Sequence, residues 1–300
     1  MLLSVNVEVL MKNHDFETGL QIFKNAGFPA LDYGLCDMVK DDNVFNGEDW
    51  RAAAEDVRRY ADSQGVIINQ THTPFTFAKT MYDDERAYED IILPRMVRSL
   101  EISAMLGAKV AVVHPLHYIP YRGNEAFLFE RNMAYYRYLL PYAKEYGVKI
   151  GVENMFQWDG VRKVITASTC SRGEEFVRYI DTLDDPFAVA CLDVGHVGLP
   201  AGATEEAHDL VRLLGHDRLQ ALHVHDNDYR DDYHQPPFVG KLDWYELAKA
   251  LGEIDYTGDF TLELSSKLFM RQKDDYLPIL AEFAARSGAY MIGEIEKNRP

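Results

Sequence analysis

The sequence has little positive charge and no long apolar run. It contains 31 lysine and arginine residues against 48 aspartate and glutamate residues, which gives a formal net charge of −17 over 300 residues. A chain this acidic is poorly suited to nucleic acid or to an anionic membrane surface, because both repel negative charge. No apolar stretch reaches the roughly 20 residues that a membrane-spanning helix needs. We therefore expect neither a nucleic-acid partner nor a membrane partner.

Cysteine is also scarce. Only Cys36, Cys170 and Cys191 are present, and their scattered positions form no paired framework, which fits a reducing compartment. The opening residues, MLLSVNVEVLMKNH, are apolar but include Asn6 and Glu8 and have no basic leader. They predict a first strand and not a signal peptide. We therefore expect a cytoplasmic protein.

No linker, low-complexity tract or shift in composition divides the chain, which predicts one domain over residues 1–300. Apolar strand-like segments alternate with helical ones, and several helical segments stop at a glycine that precedes the next apolar run. The predicted strands are 2–9, 30–35, 66–70, 110–113, 148–152, 188–192, 219–224 and 259–262. The predicted helices are 15–25, 49–64, 84–106, 125–146, 172–182, 204–214, 243–252 and 273–286.

Eight strand–helix units in alternation predict a parallel sheet. Their number and the chain length match a single (β/α)8 TIM barrel of the α/β class. A doubly wound open sheet is the competing fold. It usually carries a glycine-rich phosphate turn after its first strand, and this chain has none there.

Histidines and carboxylates stand at or just after the ends of the last six predicted strands. They are His72, His114, Glu153, Asp193, His196, His225 and Glu263, with Asp232 and His234 in the loop after the seventh strand. TIM barrels carry their chemistry at these carboxyl ends. Imidazoles and carboxylates are ligands that suit Zn²⁺ and Mn²⁺. A single strand-end histidine is more often a hydrogen-bonded structural residue, but the repetition over six strands predicts a divalent-metal site.

The motifs HTPF, VVHP, GVEN, CLDVGH, HVHDND and TLEL, in this order, resemble the sugar phosphate isomerase/epimerase superfamily. This is the xylose isomerase-like TIM barrel group, which includes D-tagatose 3-epimerase-like enzymes, hydroxypyruvate isomerase and inosose dehydratase, with endonuclease IV as a more distant cousin. The resemblance implies one divalent ion (Mn, Zn, Mg or Co) held by four residues: Glu153, Asp193, His225 and Glu263. Of the two histidines in HVH, it favours His225 as the ligand and His223 as a support.

The resemblance to endonuclease IV implies two further groups of ligands. One would join His72 and His114 to Glu153, and the other would comprise His196, Asp232 and His234. His196 is also a candidate for substrate contact. Two departures, together with the acidic charge, count against a nuclease. Val194–Gly195 stands where the cousin has Thr-Cys, and Met155–Gln157 stands where it has Thr-Ala-Gly.

Isomerisation requires a base to remove a proton beside a carbonyl and a second group to return it. The sequence thus predicts a metal-dependent sugar or sugar phosphate isomerase or epimerase, in which Glu153 and Glu263 transfer protons through a metal-stabilised enediolate. A dehydratase shares the first step and stays an alternative, as does a non-catalytic sugar-binding barrel. Trp158 as a sugar-stacking residue and Arg230 as a phosphate ligand are weaker candidates. The expected partner is a small carbohydrate, and homo-oligomerisation is left open.

Overall fold

The computed structural model describes residues 1–75 and 83–300. Its parallel strands are β1 (Leu3–Asn6), β2 (Ala30–Gly34), β3 (Ile67–His72), β4 (Val110–Val113), β5 (Lys149–Glu153), β8 (Ala188–Asp193), β9 (Leu219–His223) and β10 (Phe260–Leu262). Two further strands, β6 (Phe156–Asp159) and β7 (Val164–Ala167), form an antiparallel hairpin. The sheet runs in the order β10-β1-β2-β3-β4-β5-β8-β9, and a bridge between Val224 and Leu262 joins its two edges. The predicted (β/α)8 TIM barrel is confirmed.

Helices lie between the strands and pack around the sheet. Their bounds are Glu8–Met11, Phe16–Ala26, Trp50–Ser63, Glu85–Ala87, Leu93–Leu106, Glu125–Tyr146, Gly173–Leu183, Ala207–Arg218, Trp244–Glu253, Ser266–Phe269 and Leu277–Lys297, with a π-helical turn at Tyr88–Ile92. Short 3₁₀ turns cover Cys36–Val39 and Val44–Asn46. Asp15 and Asp243 cap their helices by accepting hydrogen bonds from backbone N–H groups. Gly107 and Gly147 end theirs with positive φ angles of 87° and 76°, where glycine has no Cβ penalty.

The alternation of side chains along the strands explains why the polar residues meet inside the barrel. A small buried cluster of Val110, Val112, Val189, Cys191 and Ala221 fills the barrel interior. Gly151 belongs to the same layer, since a Cβ there would lie 2.9 Å from a Val110 methyl group and 3.2 Å from the Cys191 Cβ. Two residues further along each strand, side chains point to the same face. These are His114, Glu153, Asp193 and His223, which lie above the apolar layer at the carboxyl-terminal mouth.

Three differences from the predicted elements concern the ends of the chain and one loop. β1 is shorter than predicted, because the chain turns into a short helix at Glu8. The last helix spans Leu277–Lys297, later than the predicted 273–286. The hairpin of β6 and β7 was missed in a segment interpreted as a loop. In the described part of the chain, no helix combines the length and apolar character that crossing a membrane requires.

Candidate metal centre

Four side chains converge at the centre of the mouth. One ligand atom from each of Glu153, Asp193, His223 and Glu263 lies within 4.8 Å of the other three. Glu153, Asp193 and His223 are the last residues of β5, β8 and β9, and Glu263 follows β10 directly. Glu153, Asp193 and His223 are at most 1% exposed. Two buried carboxylates and a third that is largely buried, beside one imidazole, are costly to desolvate unless cations compensate them.

His223 is the histidine that lies within this distance of all three acids. The sequence named His225 as the ligand; its Nε2 lies 3.0 Å from Asp193 Oδ1, and its role as a ligand stays a prediction. His223 Nε2 lies 3.2 Å from Asp32 Oδ2, and Gln70 Nε2 donates to the same oxygen at 2.9 Å. The other ring nitrogen, Nδ1, lies 2.9 Å from Glu153 Oε1 and 3.5 Å from Glu263 Oε2. Asp32 therefore orients His223 so that Nδ1 faces the acids.

A second group is assembled on the β3–β4 side of Glu153. The Nε2 atoms of His72 and His114 lie 3.0 Å apart, and they lie 3.5 and 2.9 Å from Glu153 Oε2. This is the His72, His114 and Glu153 set that the sequence placed together. Glu153 thus presents one oxygen to the central group and the other to this histidine pair.

A third group lies on the β8–β9 side and contains His196, His225, Asp232 and His234. His225 Nε2 is 3.0 Å from Asp193 Oδ1, and His234 Nε2 is 2.8 Å from Asp232 Oδ2. The rings of His225 and His234 stack with centroids 3.8 Å apart. His225 thus lies between Asp193 of the central group and Asp232 of the group that the sequence gave to His196, Asp232 and His234.

Three of these histidines share one arrangement of hydrogen bonds. His72 Nδ1 is 2.9 Å from the carbonyl oxygen of Thr73, His196 Nδ1 is 2.9 Å from that of Asn154, and His234 Nδ1 is 3.0 Å from that of Glu263. A carbonyl oxygen can only accept, so Nδ1 carries the proton in each ring. Nε2 then faces the neighbouring acids and imidazoles. Metal-binding histidines typically have their second nitrogen oriented in this way.

The electrostatics of the mouth reflect close opposite charges. Burial raises the pKa of Glu153, but His223 and His114 outweigh it and hold that pKa well below its ordinary value. Burial lowers the pKa of His234, yet Glu263 and Asp232 raise it to about 10. Burial also raises the pKa of Asp232, whereas His234 and His196 lower it to about 2. Both values describe imidazolium–carboxylate pairs, in which a proton on His234 supplies the compensating charge.

Asp226 holds the loop that carries Asp232 and His234. Its carboxylate accepts hydrogen bonds from the backbone N–H groups of Gly240 and Leu242, at 2.7 and 3.2 Å, and from Trp244 Nε1 at 2.8 Å. The carboxylate is buried, and the backbone of Asp226 pairs with Gln235 in both directions. The start and the end of the loop are thus fixed to one residue, which positions the third group against the barrel.

The two weaker sequence candidates lie apart from these groups. Trp158 is on strand β6 of the hairpin and is 56% exposed. Arg230 is an exposed residue of the loop after β9, and its backbone N–H donates to Asp228. The structure brings neither into the three groups. Their roles in substrate binding stay predictions.

Sequence reasoning missed Asp32, which orients His223. The only signal was an acid in the interior of the buried strand β2, where a carboxylate is unexpected.

The donor set fits a divalent cation. Among the described residues, the buried atoms without a hydrogen-bond partner include Glu263 Oε2, Asp232 Oδ1 and His225 Nδ1. Native proteins seldom leave buried polar atoms unsatisfied, and each such atom raises the question of a ligand. Mixed carboxylate and imidazole donors suit Zn²⁺ and Mn²⁺ in particular. The central group would hold such an ion through Glu153, Asp193, His223 and Glu263.

Similar sequences include proteins with and without an assigned activity. The chain is 26% identical over 197 residues to the uncharacterized protein MJ1311 of Methanocaldococcus jannaschii, covering 64% of this chain and 62% of that protein. It is 24% identical over 220 residues to a D-psicose 3-epimerase of Enterocloster bolteae, covering 69% of this chain and 65% of that protein. The matched part thus spans less than two thirds of the length of these curated relatives.

Solved structures share the fold over nearly the whole chain. A D-psicose 3-epimerase crystallised in the presence of D-fructose superposes with a TM-score of 0.75 at 16% identity, covering 98% of this chain and 100% of the other. The IOLI protein with a bound zinc atom gives a TM-score of 0.70 at 17% identity, covering 99% of both chains. The family model described as xylose isomerase-like TIM barrel matches residues 20–285. This chain therefore belongs to the xylose isomerase-like TIM barrel family.

Proposed function

We propose that the protein is a divalent-metal-dependent isomerase or epimerase of a sugar or a related polyhydroxylated carbonyl compound. The observation that carries the proposal is the convergence of Glu153, Asp193, His223 and Glu263 at the mouth, within 4.8 Å of one another. The epimerase activity of the similar D-psicose 3-epimerases and the zinc atom of the IOLI protein support the same reading.

The two glutamates would have distinct places around a substrate. Glu153 ends β5 and Glu263 follows β10, so their carboxylates reach the centre from different sides of the barrel. One would take the proton from the carbon beside the carbonyl, and the other would return it. Return to the opposite face of that carbon gives epimerisation, and return to the neighbouring carbon gives aldose–ketose exchange. A bound divalent cation would polarise the carbonyl oxygen and stabilise the negative charge that develops on it.

The hydrogen bonds and the burial of Glu153 and Glu263 support different roles for the two glutamates. Glu153 is held by His223 Nδ1 and His114 Nε2, each at 2.9 Å, so its position is fixed. Glu263 is less buried, with 14% of its side chain exposed, and it lines a cavity of about 440 Å³. Glu263 is therefore the better placed of the two to meet a substrate that enters from solvent.

Two measurements test the proposal together. Elemental analysis of protein purified without chelator should find at least one tightly bound divalent metal per chain. Ketoses such as D-fructose and D-psicose, incubated with that protein in D₂O, should gain deuterium at the carbon beside the carbonyl. Metal-free protein whose thermal stability is unaltered by EDTA would contradict the metal site. Metal-loaded protein that exchanges no deuterium into a broad set of ketoses would contradict the reaction.

A metal-dependent phosphoesterase is a second candidate, favoured by one specific observation. The structure assembles all three ligand groups, including the His72–His114 pair and the His225–His234 group, which a single-metal epimerase does not need. Multi-metal sites are common in phosphoester hydrolysis. A nuclease that contacts six to ten phosphates needs a basic surface, roughly one cation for each contact. The net charge of −17 disfavours nucleic acid as the substrate.

An abasic DNA duplex tests this candidate directly. We expect no efficient incision by zinc-loaded protein at low salt, where electrostatic attraction to DNA is strongest. Efficient incision that a chelator abolishes would establish the nuclease and displace the isomerase.

A further inference from the structure

A glutamate that no ligand group includes stands beside the candidate metal centre. Glu8 follows β1 and, like the other site residues, lies at the carboxyl-terminal mouth. It lines the cavity of about 440 Å³ that also contacts Glu263 and His234. The cavity continues past Tyr33 and Phe45, so it has room for a small molecule that extends away from the centre.

The two oxygens of Glu8 differ in their surroundings. Oε1 accepts a hydrogen bond from Asn6 Nδ2 at 3.2 Å. Asn6 in turn exchanges hydrogen bonds with the backbone of Leu264, the residue after Glu263, at 3.0 and 2.8 Å. Within the described residues Oε2 is buried and has no hydrogen-bond partner. One oxygen is therefore fixed by Asn6 and the other is left to interact with whatever enters the cavity.

Gly34 makes room for this carboxyl group. A Cβ atom at position 34 would lie 2.9 Å from Glu8 Cδ and 3.0 Å from its Oε2, so the carboxyl group would have to shift to accommodate it. The side chain of Glu8 thus rests directly on the backbone of β2. Any larger residue at position 34 would push the carboxyl group out of its place.

The surroundings of Glu8 allow it to be protonated or ionised near neutral pH. Burial and then the carboxylate of Asp32 raise the pKa of Glu8 to about 7, and Glu263 adds to the rise, whereas His72 opposes it. The titratable groups that face it are Asp32 and Tyr33 on β2, Cys36 after β2, His72 on β3 and Glu263 after β10. The protonated group can donate to a ligand oxygen, and the ionised group can accept from a hydroxyl.

We propose that Glu8 is a substrate-binding residue whose Oε2 pairs with one hydroxyl group of the substrate, in the cavity that Glu8 lines together with Glu263 and His234. This inference rests on the proposed function and adds to it a residue that selects among polyhydroxylated substrates. A site built to pair a hydroxyl discriminates against an analogue that lacks it, because its own polar atom is then left buried and unpaired.

The test measures binding, so it does not depend on turnover. Dissociation constants are determined by calorimetry for D-fructose, D-psicose and their singly deoxygenated derivatives, with metal content measured in every sample. The variants are Glu8→Ala, Glu8→Gln and Gly34→Ala, and Glu48→Ala, at an exposed glutamate, is the matched control. We expect Glu8→Ala to weaken binding of the parent ketose about tenfold, which corresponds to about 1.4 kcal/mol. Glu8→Gln, which still forms a hydrogen bond, should weaken it less.

The deoxy series identifies the contact. One deoxy derivative should bind the wild-type protein and Glu8→Ala equally, because the hydroxyl that Glu8 contacts is already missing, while the other derivatives should remain sensitive. Gly34→Ala should reproduce the pattern of Glu8→Ala without removing the carboxyl group.

Several results would overturn the inference. These are unchanged affinity in Glu8→Ala, an equal loss for the parent and every deoxy derivative, or no binding of any ketose to the metal-loaded wild-type protein. The first two leave the proposed function intact if deuterium exchange into ketoses continues. The third, together with absent exchange, removes both.

Discussion

Both ends of the barrel contain polar side chains, but in the described part of the chain only those at the amino-terminal end pair with one another throughout. At the amino-terminal end, a cavity of about 560 Å³ is lined by Asn69, Lys149, Gln220 and Asp259. There Asn69 donates to Asp259 at 3.1 Å, and Lys149 donates to Gln220 at 2.5 Å. At the carboxyl-terminal mouth the cavity is smaller, about 440 Å³. Buried oxygens of Glu8, Asp232 and Glu263 lack hydrogen-bond partners among the described residues.

The contrast shows that the volume of a cavity alone does not identify the candidate active site in this molecule. Polar groups that satisfy one another stabilise the fold and need no further ligand. Groups held without partners keep a free-energy cost that a ligand can relieve. The end of the barrel with unsatisfied polar atoms is therefore the candidate active site, in accord with the usual location of active sites in this fold.

The largest expected effect is a loss of turnover when either glutamate of the carboxyl-terminal mouth is replaced, without a loss of the fold. Glu153→Gln and Glu263→Gln should each slow turnover by about 100-fold or more, the usual scale for loss of a general acid or base. Deuterium exchange in D₂O should fall in parallel. The measurement is initial rate and exchange with metal content determined in the same sample.

Metal content separates two roles of these glutamates. A variant that keeps its metal and loses exchange supports proton transfer. A variant that keeps its metal and turns over normally would falsify that role. His196 would then be the next candidate for the base, although its Nδ1 is already committed to the carbonyl oxygen of Asn154.

A second experiment compares the contributions of the central group and the third group to metal affinity. His223→Ala removes the imidazole that lies with Glu153 and Glu263, whereas His225→Ala removes one from the third group. We expect His223→Ala to lower the affinity for the most tightly bound metal by at least about tenfold more than His225→Ala does. Metal retention during dialysis against a graded chelator measures the difference. The reverse order would support His225, the ligand that the sequence favoured.

The sequence alone predicted the barrel, the strand order and most residues of the mouth, because each rests on local signals. Strand ends are marked by an apolar run followed by a histidine or an acid, and glycines mark helix ends such as Gly107 and Gly147. The choice between His223 and His225 rested on the family resemblance, which favoured His225, and it stays a prediction. The two are two positions apart, and an extended strand would place them on the same face. In the structure His223 contacts Asp32 and Glu153, whereas His225 contacts Asp193.

The hairpin of β6 and β7 was missed although a signal was present. Asp159–Gly160 lies between two segments rich in β-branched and aromatic residues, and that dipeptide is typical of a hairpin turn. Glu8 was interpreted as part of the first strand. Its burial beside Gly34 follows from the approach of β2, which the local sequence does not encode.

A third prediction concerns the pH dependence of metal uptake. The pKa of His234 is raised to about 10, so in the metal-free protein this imidazole is charged at neutral pH and pairs with Asp232. A metal that binds His234 Nε2 must displace that proton, so affinity should rise with pH, by about tenfold per pH unit for each proton released. Metal titrations between about pH 6 and 8 measure the slope.

The stability of the metal-free protein should have the opposite pH dependence and fall as pH rises. The pairing of His234⁺ with Asp232 stabilises the metal-free fold fully below the ordinary histidine pKa of about 6.5, and this contribution is lost as pH rises through about 10. His234→Ala should reduce both the slope of metal affinity and this loss of stability. A slope in that variant as steep as in the wild-type protein would place the released proton on another residue.

The smallest effect is expected at the opposite end of the barrel. Lys149→Met removes the hydrogen bond to Gln220 but leaves a side chain of similar length. We expect the free energy of unfolding to change by less than about 1 kcal/mol. Catalytic efficiency should change by less than about twofold, which lies within about 0.4 kcal/mol. A large loss of activity without a loss of stability would show that the satisfied end also takes part in the reaction.

Glu153 connects two of the candidate ligand groups at the mouth, so these groups are not independent. Its Oε1 faces His223 and its Oε2 faces His72 and His114, so one side chain belongs to two ligand groups. Two cations bound in these groups would share a bridging ligand and would therefore be thermodynamically coupled. Linkage then requires that each ion change the affinity of the other by the same factor. A titration that fills one group would therefore also report on the other.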